Sequence, residues 1–204
     1  MRLSLNHSTK MPSNNANGWT ENIIIADADH LDRVVFDLTV NFERMLGRRI
    51  PRADMARWAE CIALDGGLRE GDHHTHLILI HDPKKKALEN FAPSDFENEL
   101  NGQAFNGPLG EFTISAIQTE ESVGGDRLLC DTVALIASQP EVKRIMIVPD
   151  EERDYDTVRQ LLRQADPDKH ITLFAMQPMP GGNFRQEILG YSLMSALGIR
   201  AEEL

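Results

Sequence analysis

A short apolar run that ends in two aspartates is the feature that most constrains this chain. Residues 23–26 read Ile-Ile-Ile-Ala, and Asp27 and Asp29 follow them. So short a run cannot form a globular helix, and it predicts a strand that is buried on both faces of a parallel sheet. The two carboxylates then lie at the carboxyl end of the strand, which is the edge where open α/β sheets bind ligands.

A second apolar run has the same ending. Residues 145–148 are followed by Pro149, Asp150 and, shortly after, Glu152. If the two strands are neighbours, their acidic ends meet, and crowded carboxylates repel one another unless a cation lies between them. The two runs together therefore predict either a divalent-metal site or a set of general acids and bases at one edge of the sheet.

The overall composition is that of a soluble globular domain. The chain has 204 residues, of which 41% are hydrophobic and 26% are charged. We expect residues 1–20, rich in Ser, Asn and Thr, to form a flexible tail, and residues 21–204 to form one domain with a C-terminal helix. A net charge of −11 opposes broad attraction to nucleic acid or anionic lipid. No membrane-spanning run or secretory signal is visible, so we expect a cytoplasmic protein.

Helical and strand patterns alternate along the chain. Helical periodicity covers residues 34–46 and 55–62, while further strands are predicted at 76–81, 112–117 and 171–175. This alternation predicts a three-layer α/β/α sandwich with a mostly parallel sheet of about five strands. A last helix, Gln186–Leu197, has a broad apolar face that fits either core packing, the commoner use, or a homodimer contact.

Basic residues cluster at the turn between the first two helices. We call this set the arginine corner: Arg44, Arg48, Arg49 and Arg52. It fits either ion pairs with neighbouring carboxylates or contacts with the phosphates of a nucleic acid.

Three histidines, His73, His74 and His76, precede the second predicted strand. They do not favour a zinc site, because neighbouring side chains on a strand point to opposite faces of the sheet. His81 and Asp82, at the far end of the same strand, are better placed for a functional site.

The order of these features resembles the NYN branch of the PIN-like nuclease superfamily. Members open with a strand that ends in Asp and has Asn three residues later, where this chain has Asp27 and His30. Their Gly-Arg-Ile-type turn between two helices is similar to residues 46–51, Leu-Gly-Arg-Arg-Ile-Pro. The similarity runs from residue 22 to about residue 176. The whole chain also resembles an uncharacterised family of proteins of this length from Bacteroidales.

The resemblance continues around the fourth predicted strand. The family has an aspartate entering the preceding helix and another further along it, positions that match Asp126 and Asp131. Its fourth strand ends in Ser-Gly-Asp-x-Asp-Phe, where residues 148–153 of this chain read Val-Pro-Asp-Glu-Glu-Arg.

The resemblance implies a ribonuclease that cleaves RNA phosphodiesters with Mg²⁺ or Mn²⁺. It implies metal ligands at Asp27, Asp126 and Asp150. It implies catalytic carboxylates at Asp27, Asp131, Asp150 and Glu152. Asp29 or His30 would position the attacking water or the substrate, and the arginine corner would hold the RNA backbone.

Several residues depart from the pattern of the family. His30 replaces Asn, Pro149 replaces Gly, and Glu152 and Arg153 replace Asp and Phe. An arginine among the carboxylates supplies the positive charge that a metal otherwise provides. The alternative is therefore a PIN-like interaction module that has lost catalysis.

Two other interpretations fit the same aspartates. Haloacid-dehalogenase-like phosphatases have an Asp-x-Asp after their first strand, with the first Asp as nucleophile and the second as general acid, roles that Asp27 and Asp29 would take. Leu31 stands where that family usually has Thr or Val. Aspartates also end strands and cap helices, so each one alone fits a structural role.

Overall fold

A computed structural model describes residues 18–120 and 127–204. The strands are β1 (Asn22–Asp27), β2 (Ala53–Asp54), β3 (His73–His81), β4 (Phe91–Ala92), β5 (Ala104–Gly107), β6 (Gly110–Gln118), β7 (Arg144–Val148), β8 (His170–Ala175) and β9 (Arg185–Ile188). The helices are α1 (Ala28–Leu46), α2 (Met55–Asp65), α3 (Leu128–Ala137), α4 (Tyr155–Leu161) and α5 (Leu189–Ala196). Most of the predicted tail, residues 1–17, lies outside the described residues.

The main sheet has seven strands in the order β5-β6-β3-β1-β7-β8-β9. Every neighbouring pair is parallel except β5 and β6. The chain moves outward from central β1 to β3 and β6, returns to β7 on the other side of β1, and continues outward. This is a doubly wound order, and its switch point lies between β1 and β7, where such sheets form a crevice for ligands.

Two apolar cores cover the two faces of the sheet, which confirms the predicted three-layer α/β/α architecture. On one face, Ile24 packs with residues of α1, α2 and α5. On the other face, Ile23 and Ile25 pack with residues of α3 and α4. Successive residues of β1 thus serve opposite cores, as expected for a strand with period two that is buried on both sides.

The sheet is wider than the five strands expected from the sequence. Residues 101–110 are not among the strands predicted from the sequence, yet β5 forms there and pairs antiparallel with β6. We predicted a helix from Gln186, yet the chain continues as β9 alongside β8 before α5 begins at Leu189. Both strands are short and lie at the sheet edges, where partial exposure allows polar residues that weaken the strand pattern.

The last helix belongs to the core, as the sequence favoured. Leu189, Leu193 and Leu197 are fully buried, and α5 packs against α2. None of the helices in the described part of the chain is long and apolar enough to cross a membrane.

Candidate functional site

Asp27 joins the central strand to the first helix. Its backbone ends β1, and its side chain caps α1 by accepting a hydrogen bond from the His30 N–H at 2.7 Å. Its other oxygen accepts from the Arg153 guanidinium at 2.5 Å. The side chain is almost fully buried. Each oxygen of Asp27 thus accepts one hydrogen bond, from the start of α1 on one side and from Arg153 on the other.

Arg153 lies between two buried carboxylates. Besides Asp27, its guanidinium contacts both oxygens of Asp154 at 2.9 to 3.2 Å. The bonds to Asp154 raise the pKa of Arg153 well above its ordinary value, although burial opposes them. Burial raises the pKa of Asp154, and Arg153 counteracts that rise. The arginine therefore supplies the cation that a cluster of aspartates at this edge needs.

Asp150 lies at the switch point beside this group. One oxygen accepts from the backbone N–H groups of Glu152 and Arg153 at 3.1 and 3.2 Å, and the other accepts from Arg33 at 2.6 Å. The His30 ring nitrogen lies 3.8 Å from the second oxygen. Burial alone would raise the pKa of Asp150, but His30 and the two N–H groups outweigh it and the pKa is lowered. Asp150 is thus held in its ionised form.

Asp29 ties the start of α1 to the end of β3. One oxygen accepts from the Asp82 N–H at 2.8 Å, and the other pairs with Lys85 at 3.1 Å. His81, just before this point, is buried and stacks on Phe96 with ring centroids 3.8 Å apart. Burial lowers the pKa of His81.

A cavity of about 440 Å³, which we call the crevice, opens between the ends of β1, β3 and β6. Its wall carries acidic groups, cations and apolar side chains. It is lined by Asp27, Asp29, Ile80, His81, Asp82, Pro83, Lys84, Thr119, Glu120, Leu129 and Arg153. The structure thus brings together Asp27 and Asp29 from the sequence-predicted set at the crevice, whereas Asp150 does not line it.

Other predicted site residues lie elsewhere. Asp131 is exposed in the first turn of α3, Glu152 is exposed in the turn after β7, and neither lines the crevice. Asp126 lies outside the described residues. Arg44 is in the last turn of α1, about 24 Å along the helix axis from its start at the crevice.

The rest of the arginine corner is engaged in local pairs or is exposed. Arg48 pairs with Glu203 at 2.7 Å, and Arg49 pairs with Glu43 at 3.5 Å. Arg52 is exposed just before β2. The RNA-binding hypothesis required the arginine corner to face the crevice. None of its arginines lines the crevice.

Three cations near the acidic edge were not assigned a role from the sequence, and of these only Lys84 lines the crevice. Arg33 reaches Asp150 from the second turn of α1, while Lys84 and Lys85 follow β3. The signal for the lysines was present, since residues 84–86 follow a predicted strand end directly. Arg33 gave no such signal, because a single arginine on a helix is usually a solvated residue.

Two of the three predicted metal ligands, Asp27 and Asp150, are described by the structure, and the third, Asp126, lies outside the described residues. In residues 18–120 and 127–204, no group of three or more His, Cys, Asp or Glu side chains is arranged to hold a metal ion. The cause is local: Asp27 bonds a helix N–H and Arg153, and Asp150 bonds two backbone N–H groups and Arg33. In this arrangement arginine side chains and backbone N–H groups, rather than a common ion, are the partners of these carboxylates. Of the three histidines in the first half of β3, buried His76 bonds Ser115 at 2.8 Å.

Searches of curated proteins and of solved structures gave no match. A protein-family model matches residues 16–204, which is nearly the whole chain. The chain belongs to that family, described as a family of unknown function (DUF6621).

Proposed function

We propose that this protein is a PIN-like binding module that holds single-stranded RNA at the crevice without metal-dependent hydrolysis. The observation that carries the proposal is the position of Arg153, which bonds both Asp27 and Asp154 where a nuclease would place its metal. A guanidinium neutralises the carboxylates but cannot activate a water molecule as a metal does.

The crevice has the size and the groups to hold one nucleotide unit. Its volume of about 440 Å³ falls within the range of about 300–1,000 Å³ that is usual for small-ligand sites. Lys84 and Arg153 offer positive charge to a phosphate, and Arg153 remains 41% exposed although it is paired. Asp82 and Glu120 offer acceptors for the amino groups of a base.

Fluorescence anisotropy with a labelled single-stranded RNA oligonucleotide tests this proposal. Binding in EDTA should equal binding in Mn²⁺, and the oligonucleotide should stay intact on a gel. Lys84→Gln should weaken binding and reduce its salt dependence, by about 0.7 in the slope of log K against log salt for each phosphate that the variant no longer neutralises. Arg49→Gln, at a side chain that is 95% exposed and distant from the crevice, is the matched control and should bind normally. Lack of any binding by the wild-type protein would refute the proposal.

A second candidate function is a metal-dependent ribonuclease, and the exposure of Arg153 favours it. Asp27 and Asp154 are nearly buried, whereas the arginine is 41% exposed and can turn toward solvent. Departure of the arginine would leave the carboxylate of Asp27 at the crevice, with that of Asp154 close to it, without their cation. Cleavage of the oligonucleotide in Mn²⁺ that is lost in an Asp27→Asn/Asp150→Asn variant would establish this function instead. Calorimetric titration of Mn²⁺ into the wild-type protein and the variant measures metal binding. Circular dichroism of the variant shows whether it is folded.

A further inference from the structure

We propose that a second cavity next to the crevice, the Phe36 groove, is a stacking subsite for a base of the same single strand. The inference rests on the proposed function, because the groove extends the path of a strand that is held at the crevice. It also predicts a preference for single strands over duplexes, since only unpaired bases can stack on a protein side chain.

The groove is large and partly apolar. Its volume is about 720 Å³, and it lies between α1 and the segment that follows β3. Basic, acidic and apolar side chains line it: Asp32, Arg33, Phe36, Asp37, Lys84, Lys85, Lys86, Ala87, Glu89 and Asn90. A cavity of this size accommodates a nucleotide.

Phe36 presents its ring to the groove. The neighbouring residues Leu31 and Val35 are fully buried against the sheet, whereas Phe36 is 54% exposed. A phenylalanine at a surface position exposes apolar area to water, and an aromatic ring at the wall of a cavity is the feature that stacks nucleobases. A flat aromatic ligand stacked on the ring would remove this apolar area from water.

A buried carboxylate holds the opposite wall in place. Asp32, on the turn of α1 before Phe36, accepts hydrogen bonds from the backbone N–H groups of Glu89 and Asn90 at 3.0 and 2.9 Å. The Asn90 amide returns a bond to the Asp32 carbonyl at 3.2 Å. These three hydrogen bonds fix the separation between α1 and the segment after β3. The groove is therefore preformed, and binding a base costs little conformational entropy.

Cations connect the groove to the crevice. Lys84 lines both cavities, so one phosphate at that side chain would lie between the two. Arg33 and Lys85 are engaged with Asp150 and Asp29, whereas Lys84 and Lys86 have no carboxylate within ion-pair distance among the described residues. These two lysines are the ones available to the backbone of a strand.

The acidic residues of the groove select against a simple anion. Asp37 and Glu89 also line the cavity, and their carboxylates would repel a ligand that carried only negative charge. The same carboxylates accept hydrogen bonds from the amino groups of a base. A ring with amino groups and a phosphate, which is a nucleotide, matches this mixture of groups.

The experiment measures the affinity of a labelled single-stranded RNA oligonucleotide across a series of salt concentrations. Phe36→Ala should weaken binding about 5- to 150-fold, the range expected for loss of one stacked base, and leave the salt slope unchanged. Lys86→Gln should reduce the slope instead. Phe36→Trp should bind RNA with about the wild-type affinity, unlike Phe36→Ala. The fluorescence of the introduced tryptophan should fall when RNA binds. Met45→Ala is the matched control, because Met45 is 60% exposed on the same helix, about 14 Å beyond Phe36.

The outcomes separate the subsite from the function on which it rests. Normal affinity of Phe36→Ala, with wild-type binding intact, would overturn the stacking subsite and leave binding at the crevice standing. Equal weakening of single-stranded and duplex RNA by Phe36→Ala would also overturn it. No binding of RNA by the wild-type protein would overturn the proposed function and the subsite together.

Discussion

Replacing Arg153 with glutamine tests whether a guanidinium stands in for a metal at the acidic edge. The side chains of Asp27 and Asp154 are only 7% and 3% exposed, so loss of the arginine leaves two buried carboxylates without their cation. Removing one partner of a buried ion pair costs about 3–5 kcal/mol, and exposed pairs contribute about 0–1 kcal/mol. Because Arg153 is 41% exposed, water can enter the space that its side chain leaves in the variant. We therefore expect the free energy of unfolding to fall by about 2 kcal/mol at pH 7.

The loss should depend on pH with a defined sign. Burial raises the pKa of Asp154, and Arg153 opposes that rise, so the pKa of Asp154 climbs further in the variant. A carboxyl whose folded pKa exceeds its unfolded pKa destabilises the fold when it is ionised, and this penalty disappears as pH falls through the folded pKa. The difference between variant and wild type should therefore be smaller at pH 5 than at pH 7.

Urea unfolding of both proteins at the two pH values measures these differences, because other titrating groups cancel in the comparison. Arg153→Lys keeps the charge and should lose less stability than Arg153→Gln. Arg49→Gln controls for loss of an exposed arginine and should change the free energy of unfolding by less than about 0.5 kcal/mol. An Arg153→Gln variant that is as stable as wild type at pH 7, or whose deficit grows at pH 5, would refute the reasoning.

Three further outcomes are expected. The double variant Arg48→Ala/Arg49→Ala should leave RNA affinity and its salt dependence unchanged. Its free energy of unfolding in urea should fall by about 1 kcal/mol or less, because the ion pairs are partly exposed. Weakened RNA binding would show that the arginine corner contacts RNA. Asp32→Ala should lower the free energy of unfolding by about 2 kcal/mol, because it leaves two backbone N–H groups unpaired, and should speed hydrogen exchange at those amides. Burial lowers the pKa of His76 from 6.5 to about 4, so the folded state binds fewer protons than the unfolded state and stability falls as pH drops below 6.5. The wild-type protein should lose about 2 kcal/mol more between pH 7 and pH 5 than a His76→Gln variant.

The sequence predicted that Asp27 and Asp150 meet at one edge of the sheet because parallel strands end at a common edge, whereas the crevice itself opens on the other side of β1, toward β3 and β6. Apolar runs before Asp27 and Asp150 were enough to bring these residues to neighbouring strand ends, and the register of β1 with β7 bears this out. The partners of the carboxylates could not be predicted in the same way. Whether Asp150 meets an ion or Arg33 depends on how α1 leaves the sheet, which no local pattern reports.

The parts of the fold that were not predicted share a physical cause. β9 reads Arg-Gln-Glu-Ile and β5 reads Ala-Phe-Asn-Gly, and neither has the β-branched alternation that indicates a strand. Their strand conformation comes from a neighbouring strand that supplies hydrogen-bonding partners. The position of Phe36 is a similar case, since helical spacing gave no reason to distinguish an exposed phenylalanine from a buried one.

The two short outer strands also bear on whether the sheet can be extended by a strand from a second molecule. β6 has nine residues, and the four residues of β5 pair with residues 110–113 on its outward side. β9, also four residues long, ends the opposite margin with Arg185 and Glu187. Short edge strands with charged side chains are poor templates for the addition of a strand from a second molecule. A variant lacking β5 would present the outer side of β6 to solvent, and light scattering should then detect fibrous or amorphous aggregates at concentrations where the intact chain remains dispersed.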